Sequence, residues 1–197
     1  SLSPFVFIQS VKQALDEVEL KTKWRQVPGI VDQLIQRGVR AEIINQIIST
    51  IADIITLRVI EQVIKKKGEP PAKFVFFVLG SEGRKEQTLK TDQDNAIIYE
   101  DKANEQREMV REYFLDFAKT VSDKLNEIGF DYCQGGFMAS NPKWTHSLSH
   151  WKNNYASWFK ESSMETVLSY GTFFDCRPIY GEFSLLDDLK AFMDEQL

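Results

Sequence analysis

An unbroken apolar run, Phe74 to Leu79, leads into Gly80-Ser81 and limits what the rest of the chain can build. The run is short, aromatic and β-branched, which predicts a buried strand rather than a helix. A polar connection with a second glycine, Gly83, follows. After Asp92-Gln93-Asp94 the chain turns apolar again through Ala96, Ile97 and Ile98. The expected local structure is a strand, a glycine turn, a short polar helix or loop, and a second strand that begins at the aspartates. Alternation along a strand puts Asp92 and Asp94 on one face, about 7 Å apart. Carboxylates so placed repel each other unless a positive charge lies between them, and a divalent metal meets that need.

The flanking segments are mostly helical in pattern. Between Pro4 and Lys67, Val11, Leu15 and Val18 keep helical spacing. Pro28 is expected to restart the chain into a short helix through Ile30, Val31, Leu34 and Ile35, with Gly38 as its stop. Ile44, Ile47, Ile48, Ile51, Ile54, Ile55 and Ile64 give the clearest apolar stripe. Lys65-Lys66-Lys67-Gly68 closes it, with cations at the negative end of the helix dipole. This lysine run reads as a solvated helix end, with phosphate binding as the alternative. Pro70-Pro71 then breaks the chain. The expected organisation is an N-terminal helical subdomain over 1–69, a core over 70–183, and the start of a C-terminal helical region over 184–197.

Val110, Phe114, Phe117, Val121, Leu125 and Ile128 predict a second strong helix within 104–128, closed by Gly129. Tyr132 to Met138 is a candidate third strand, interrupted by Gly135-Gly136. Trp144, Leu148, Trp151, Tyr155 and Trp158 fall at helical spacing and read as a core-facing helix, with base stacking as the alternative. His146 and His150 lie one turn apart, as zinc ligands can. With no further histidine and no paired cysteines, they read as surface residues. Gly171 to Pro178 reads as another strand, with Phe173, Asp175 and Arg177 on one face and Arg177 in reach of Asp175. The whole pattern is α+β.

Composition narrows the function. A chain of 197 residues with 43% apolar residues has the material for a real core. No apolar run approaches the ~20 residues of a membrane helix. The N-terminus lacks the charge and apolar pattern of a secretory signal, so a cytoplasmic location is expected, with Cys133 and Cys176 as reduced core thiols. A net charge of −5 argues against general nucleic-acid binding, which needs a basic face. It leaves nucleotide binding open.

The glycine-serine turn and the Asp92-x-Asp94 pair, ten residues apart, are together similar to the signature of the DNA polymerase beta-like nucleotidyltransferase superfamily. With Arg84, Glu86 and Thr91-Asp92-Gln93-Asp94-Asn95, the string resembles a narrower bacterial group. These are signalling nucleotidyltransferases, often fused to CBS or cyclic-nucleotide-binding domains and related to the uridylyltransferase of the PII protein. The resemblance implies a small mixed β-sheet nucleotidyltransferase core and a site that takes a nucleoside triphosphate with Mg2+ or Mn2+. Asp92, Asp94 and Asp175 would be the catalytic metal ligands, Asp175 through an Asp-x-Arg-Pro that the group also carries. Gly80 and Ser81 would hold the triphosphate, with Arg84 or Lys85 neutralising its oxygens, or with Arg84 paired to Glu86 and oriented by it. The acceptor, a protein or a small molecule, is not written in the residues. The group's regulatory modules and acceptor-binding helical region are missing, so the chain is expected to be a piece of a longer protein that binds nucleotide but transfers it poorly. A non-catalytic nucleotide-binding regulatory module is the alternative, and a phosphohydrolase with the same metals a weaker one.

Overall fold

The helical periodicity of the first third becomes three helices in a computed structural model that describes residues 3–79, 92–161 and 175–196. Helix α1 (Pro4–Lys12) is capped by Ser3, whose hydroxyl accepts from the Val6 N–H. Helix α2 (Glu17–Gln36) is capped by Asp16, which accepts from the Glu19 N–H at 2.9 Å, with Glu17 and Glu19 in the favourable first turn. Helix α3 (Ala41–Lys67) ends in the three lysines, and Gly68 follows at φ 92°. Leu15 and Val18 do not continue the stripe of Val11. The chain breaks between α1 and α2, and both side chains are exposed.

Pro28 does not restart the chain: it lies inside α2. A proline there removes one backbone hydrogen bond and crowds the preceding turn. The stripe of Trp24, Val27, Ile30, Val31 and Leu34 is buried as one continuous face, and that burial outweighs the local penalty. Helix α3 also corrects the sequence reading. By length and composition it is apolar enough to cross a membrane, but half of its apolar window is buried against the rest of the protein, as in a core helix.

Strand β1 (Phe74–Val78) is buried on both faces and pairs antiparallel with β2 (Asn95–Tyr99). A short 3-10 turn leads into helix α4 (Arg107–Ile128), which stops at Gly129 as its pattern predicts. Residues 132–138 form no strand. The third strand is instead β3 (Thr145–Ser147), parallel to β2 and directly followed by helix α5 (Leu148–Glu161). His146 therefore lies on a strand and is buried, not on the surface. Strand β4 (Arg177–Gly181) pairs antiparallel with β1, and helix α6 (Ser184–Glu195) follows. The sheet order is β3-β2-β1-β4.

Alternation divides the sheet between two cores. Phe74, Phe76, Ile97 and Tyr99 face α1 to α4 in one large cluster. Val75, Phe77, Leu79, Ala96 and Ile98 face α5 and α6, where they meet Trp151, Tyr155, Leu186, Leu189 and Met193. The N-terminal helices thus share a core with one sheet face. Trp144, Trp151 and Tyr155 are buried core residues, and the Trp151 indole N–H donates to the Ile97 carbonyl at 2.9 Å.

Gly181 closes the β4 pairing with a backbone that only glycine accepts. Its φ is 106°, and a Cβ there would lie 2.0 Å from the Phe74 carbonyl oxygen. Gly38 shares the positive φ (77°) but has open space around it. Thermal unfolding should separate the two effects. Gly38→Ala should cost about 1 kcal/mol for conformation alone, and Gly181→Ala at least about twice that, because backbone must also move. Equal losses would contradict this β1–β4 register.

Candidate active site

Of the residues singled out by the sequence, Asp92 and Asp94 lie just before β2 and Asp175 just before β4. The antiparallel pairings on both sides of β1 bring the starts of β2 and β4 to the end of the sheet where β1 finishes. The Leu79 N–H donates to the Asp94 carbonyl at 2.9 Å, so the aspartate stands beside the exit of β1. Gly80, Ser81, Arg84, Lys85 and Glu86 lie outside the described residues.

The residues interleaved with the aspartates fix their direction. Gln93 and Asn95 are buried on the α4 side. The Gln93 Nε2 donates to the carbonyls of Ser122 (2.9 Å) and Phe130 (3.1 Å), and the Ser122 hydroxyl donates to Gln93 Oε1 at 2.8 Å. Asn95 Oδ1 accepts from the Ala139 N–H at 2.8 Å. Leaving such buried groups without partners costs roughly 1–3 kcal/mol each, so the pair holds its face firmly toward α4. Alternation then turns Asp92 and Asp94 to the opposite face. Asp92 is exposed and bridges Asp131 through the backbone, while Asp94 is half-buried.

Burial raises the Asp94 carboxyl above its usual range. A hydrogen bond from the Cys133 thiol opposes that shift, and the charge of Asp92 adds to it. Cys133 is half-buried rather than a core thiol. Burial and the neighbouring Asp94 raise its own pKa, so it stays protonated as a donor. Sequence reasoning passed over Gln93, Asn95 and Cys133. The signal for the first two was two carboxamides alternating with the aspartates just where an apolar strand begins; nothing local announced the third.

Asp175 departs from expectation. It is a half-buried turn residue before β4, and β4 lies beside β1 rather than beside β2. One strand therefore separates it from the aspartate pair, about 10 Å between the strand starts at normal spacing. Among the described residues, no group of three or more His, Cys, Asp or Glu side chains is gathered to hold a metal ion. Arg177 reaches α3, where Nη2 donates to both oxygens of Asp53 at 2.6 and 2.7 Å. That bond ties the first residue of β4 to the N-terminal helices.

The donor set at Asp92 and Asp94 fits a hard divalent cation. Two carboxylates share a face, their charges oppose each other, and carboxylate oxygen is the ligand that Mg2+ and Mn2+ prefer.

The family model described as "Putative nucleotidyltransferase DUF294" matches residues 25–165, which includes β1, β2 and the aspartate pair. Comparison with curated proteins gives no match.

The Asp94 environment sets a test by pH. A carboxyl with a raised native pKa favours folding when protonated. That contribution is full below the unfolded value and is lost as pH rises through the native one. At neutral pH the ionised Asp94 therefore costs stability in the metal-free protein. Asp94→Asn keeps an acceptor for Cys133 and should raise Tm at pH 7, with the gain shrinking as pH falls into the carboxylate range. A lower Tm at pH 7 would contradict this.

Proposed function

Because the chain belongs to this family of nucleotidyltransferases, we propose that it transfers a nucleoside monophosphate from a nucleoside triphosphate to a protein or small-molecule acceptor, in a Mg2+- or Mn2+-dependent reaction that serves signalling. The observation that carries this reading is the Asp92–Asp94 pair on one face of the sheet end, set there by Gln93 and Asn95. In such a transfer an acceptor oxygen forms a bond to the α-phosphorus, the bond to the β-phosphate breaks, and pyrophosphate leaves with the charge. The ground state is already densely anionic, so positioning and charge neutralisation do most of the work.

A bound divalent ion would supply that neutralisation and make the acceptor oxygen easier to deprotonate. Asp92 and Asp94 would hold it. Asp175 is the third candidate, acting from the far side of β1. By residue type, Gly80 and Ser81 suit the triphosphate through backbone N–H groups and a hydroxyl, with Arg84 and Lys85 as its counter-charges.

A second reading, nucleotide binding without transfer, draws support from the strand that separates Asp175 from the other two carboxylates. One experiment distinguishes them. The chain is incubated with each α-labelled triphosphate, Mg2+ and cell extract, and binding is measured in parallel by calorimetry. Labelled product and pyrophosphate, both lost in Asp92→Asn, support transfer. Binding alone, weakened at least about ten-fold by Asp92→Asn (about 1.4 kcal/mol), supports the regulatory reading. Neither binding nor transfer overturns both.

A further inference from the structure

At the other end of β2, where the strand finishes at Tyr99, a cleft of about 340 Å³ opens between the starts of α4 and α5. It lies about 17 Å along the strand from Asp94, at normal strand rise. Lys102, Arg107 and Arg111 line it, in a chain whose net charge is −5.

Arg111 is half-buried and, among the described residues, held by neutral acceptors. Nη1 donates to the Thr145 carbonyl and to His146 Nδ1 (3.3 Å), and Nη2 donates to the Pro142 carbonyl at 2.9 Å. The His146 Nε2–H in turn donates to the Lys143 carbonyl at 2.8 Å, which leaves Nδ1 as the acceptor for Arg111. These bonds staple α4 to β3, but they use only part of a five-donor guanidinium and do not offset its charge. Arg107 lies one helical turn earlier on α4 and lines the same cleft. Its guanidinium has no hydrogen bond or ion pair among the described residues, so packing gives it no task.

The other charges of the lining offset the pair only in part. Lys102 is engaged with Glu100 at 3.2 Å. Asp101 lines the same cleft and accepts from the Ser149 hydroxyl (2.8 Å) and N–H (3.4 Å), neutral donors that leave its charge in place, so the cations of the lining outnumber its one carboxylate by three to one. His146, which holds Arg111, is neutral. Burial, the neighbouring His150 and the charge of Arg111 push its pKa down to about 4, against the hydrogen bond to Lys143.

We propose that this cleft is a second ligand site, separate from the aspartate end, and that it binds a small phosphomonoester through Arg107 and Arg111. Two guanidiniums one turn apart offer the planar, multidentate donors that phosphate oxygens match. The volume is at the lower end of small-molecule pockets, which fits a phosphorylated small molecule rather than a polymer. Tyr99 is buried, with one face stacked on Phe114 at 5.0 Å between ring centroids, so it offers little surface to a nucleobase.

The test is a titration of the labelled protein with glucose 6-phosphate, inorganic phosphate and glucose, followed by amide chemical shifts. Saturable shifts at Lys102, Arg107, Arg111 and Ser149 are expected with glucose 6-phosphate at millimolar concentration, and none with glucose. Arg107→Glu alters an exposed side chain and should fold normally while weakening that binding about ten-fold or more. Asp94→Asn should leave it unchanged, which separates this site from the proposed nucleotidyl-transfer site. The proposal fails if Arg107→Glu binds as wild type, if the shifts fall at 92–95 instead, or if no ester-dependent shifts occur. Binding of inorganic phosphate without the ester would overturn the ligand class.

Discussion

The buried carboxamide of Gln93 decides which way the two aspartates point, and the candidate chemistry depends on that direction. A glutamine between two carboxylates on a strand has to go to the opposite face. There it finds a closed set of partners in Ser122 and Phe130. Asn95 repeats the arrangement one pleat further along, with Ala139. Slipping the strand by one residue would bury Asp92 and Asp94 against α4 and expose both carboxamides, losing every one of these bonds. Register here is thus set by polar satisfaction as well as by hydrophobic pattern.

The wider fold holds this arrangement from both sides. β1 is apolar throughout because it is covered by α1 to α4 on one face and by α5 and α6 on the other. Its central position keeps the starts of β2 and β4 at one end while holding them apart. The Arg177–Asp53 pair then fastens β4 to α3 across the sequence. Partly buried and doubly bonded, it gives the N-terminal helices a direct hold on the strand that follows Asp175.

Much of this was legible in the residues. The stripes of α3 and α4, the glycines that stop them and the apolar cores of β1 and β2 all follow from period, caps and composition. β3 was not legible. Thr145 to Ser147 is too short for alternation to register, it is embedded in an aromatic series with helical spacing, and its pairing with β2 is non-local. The place of β4 was not legible for a related reason: strand order is a property of the assembled sheet, and no local pattern encodes that β1 comes between it and β2. Pro28 misled because a local penalty was weighed without the buried face that offsets it. The cleft at Arg107 and Arg111 was invisible because β3, which positions the carbonyls that hold Arg111, was itself missed.

The proposed transfer requires a divalent ion at the aspartate end of the sheet. Paramagnetic broadening of amide signals by substoichiometric Mn2+, with a non-hydrolysable triphosphate present, tests it most directly. The account predicts selective loss of signals at Leu79 and from Asp92 to Asn95, with Cys176 affected more weakly from across β1, and sharp signals retained at Tyr99 to Lys102. Broadening centred on the Tyr99 end, or spread evenly over the surface carboxylates, would contradict it.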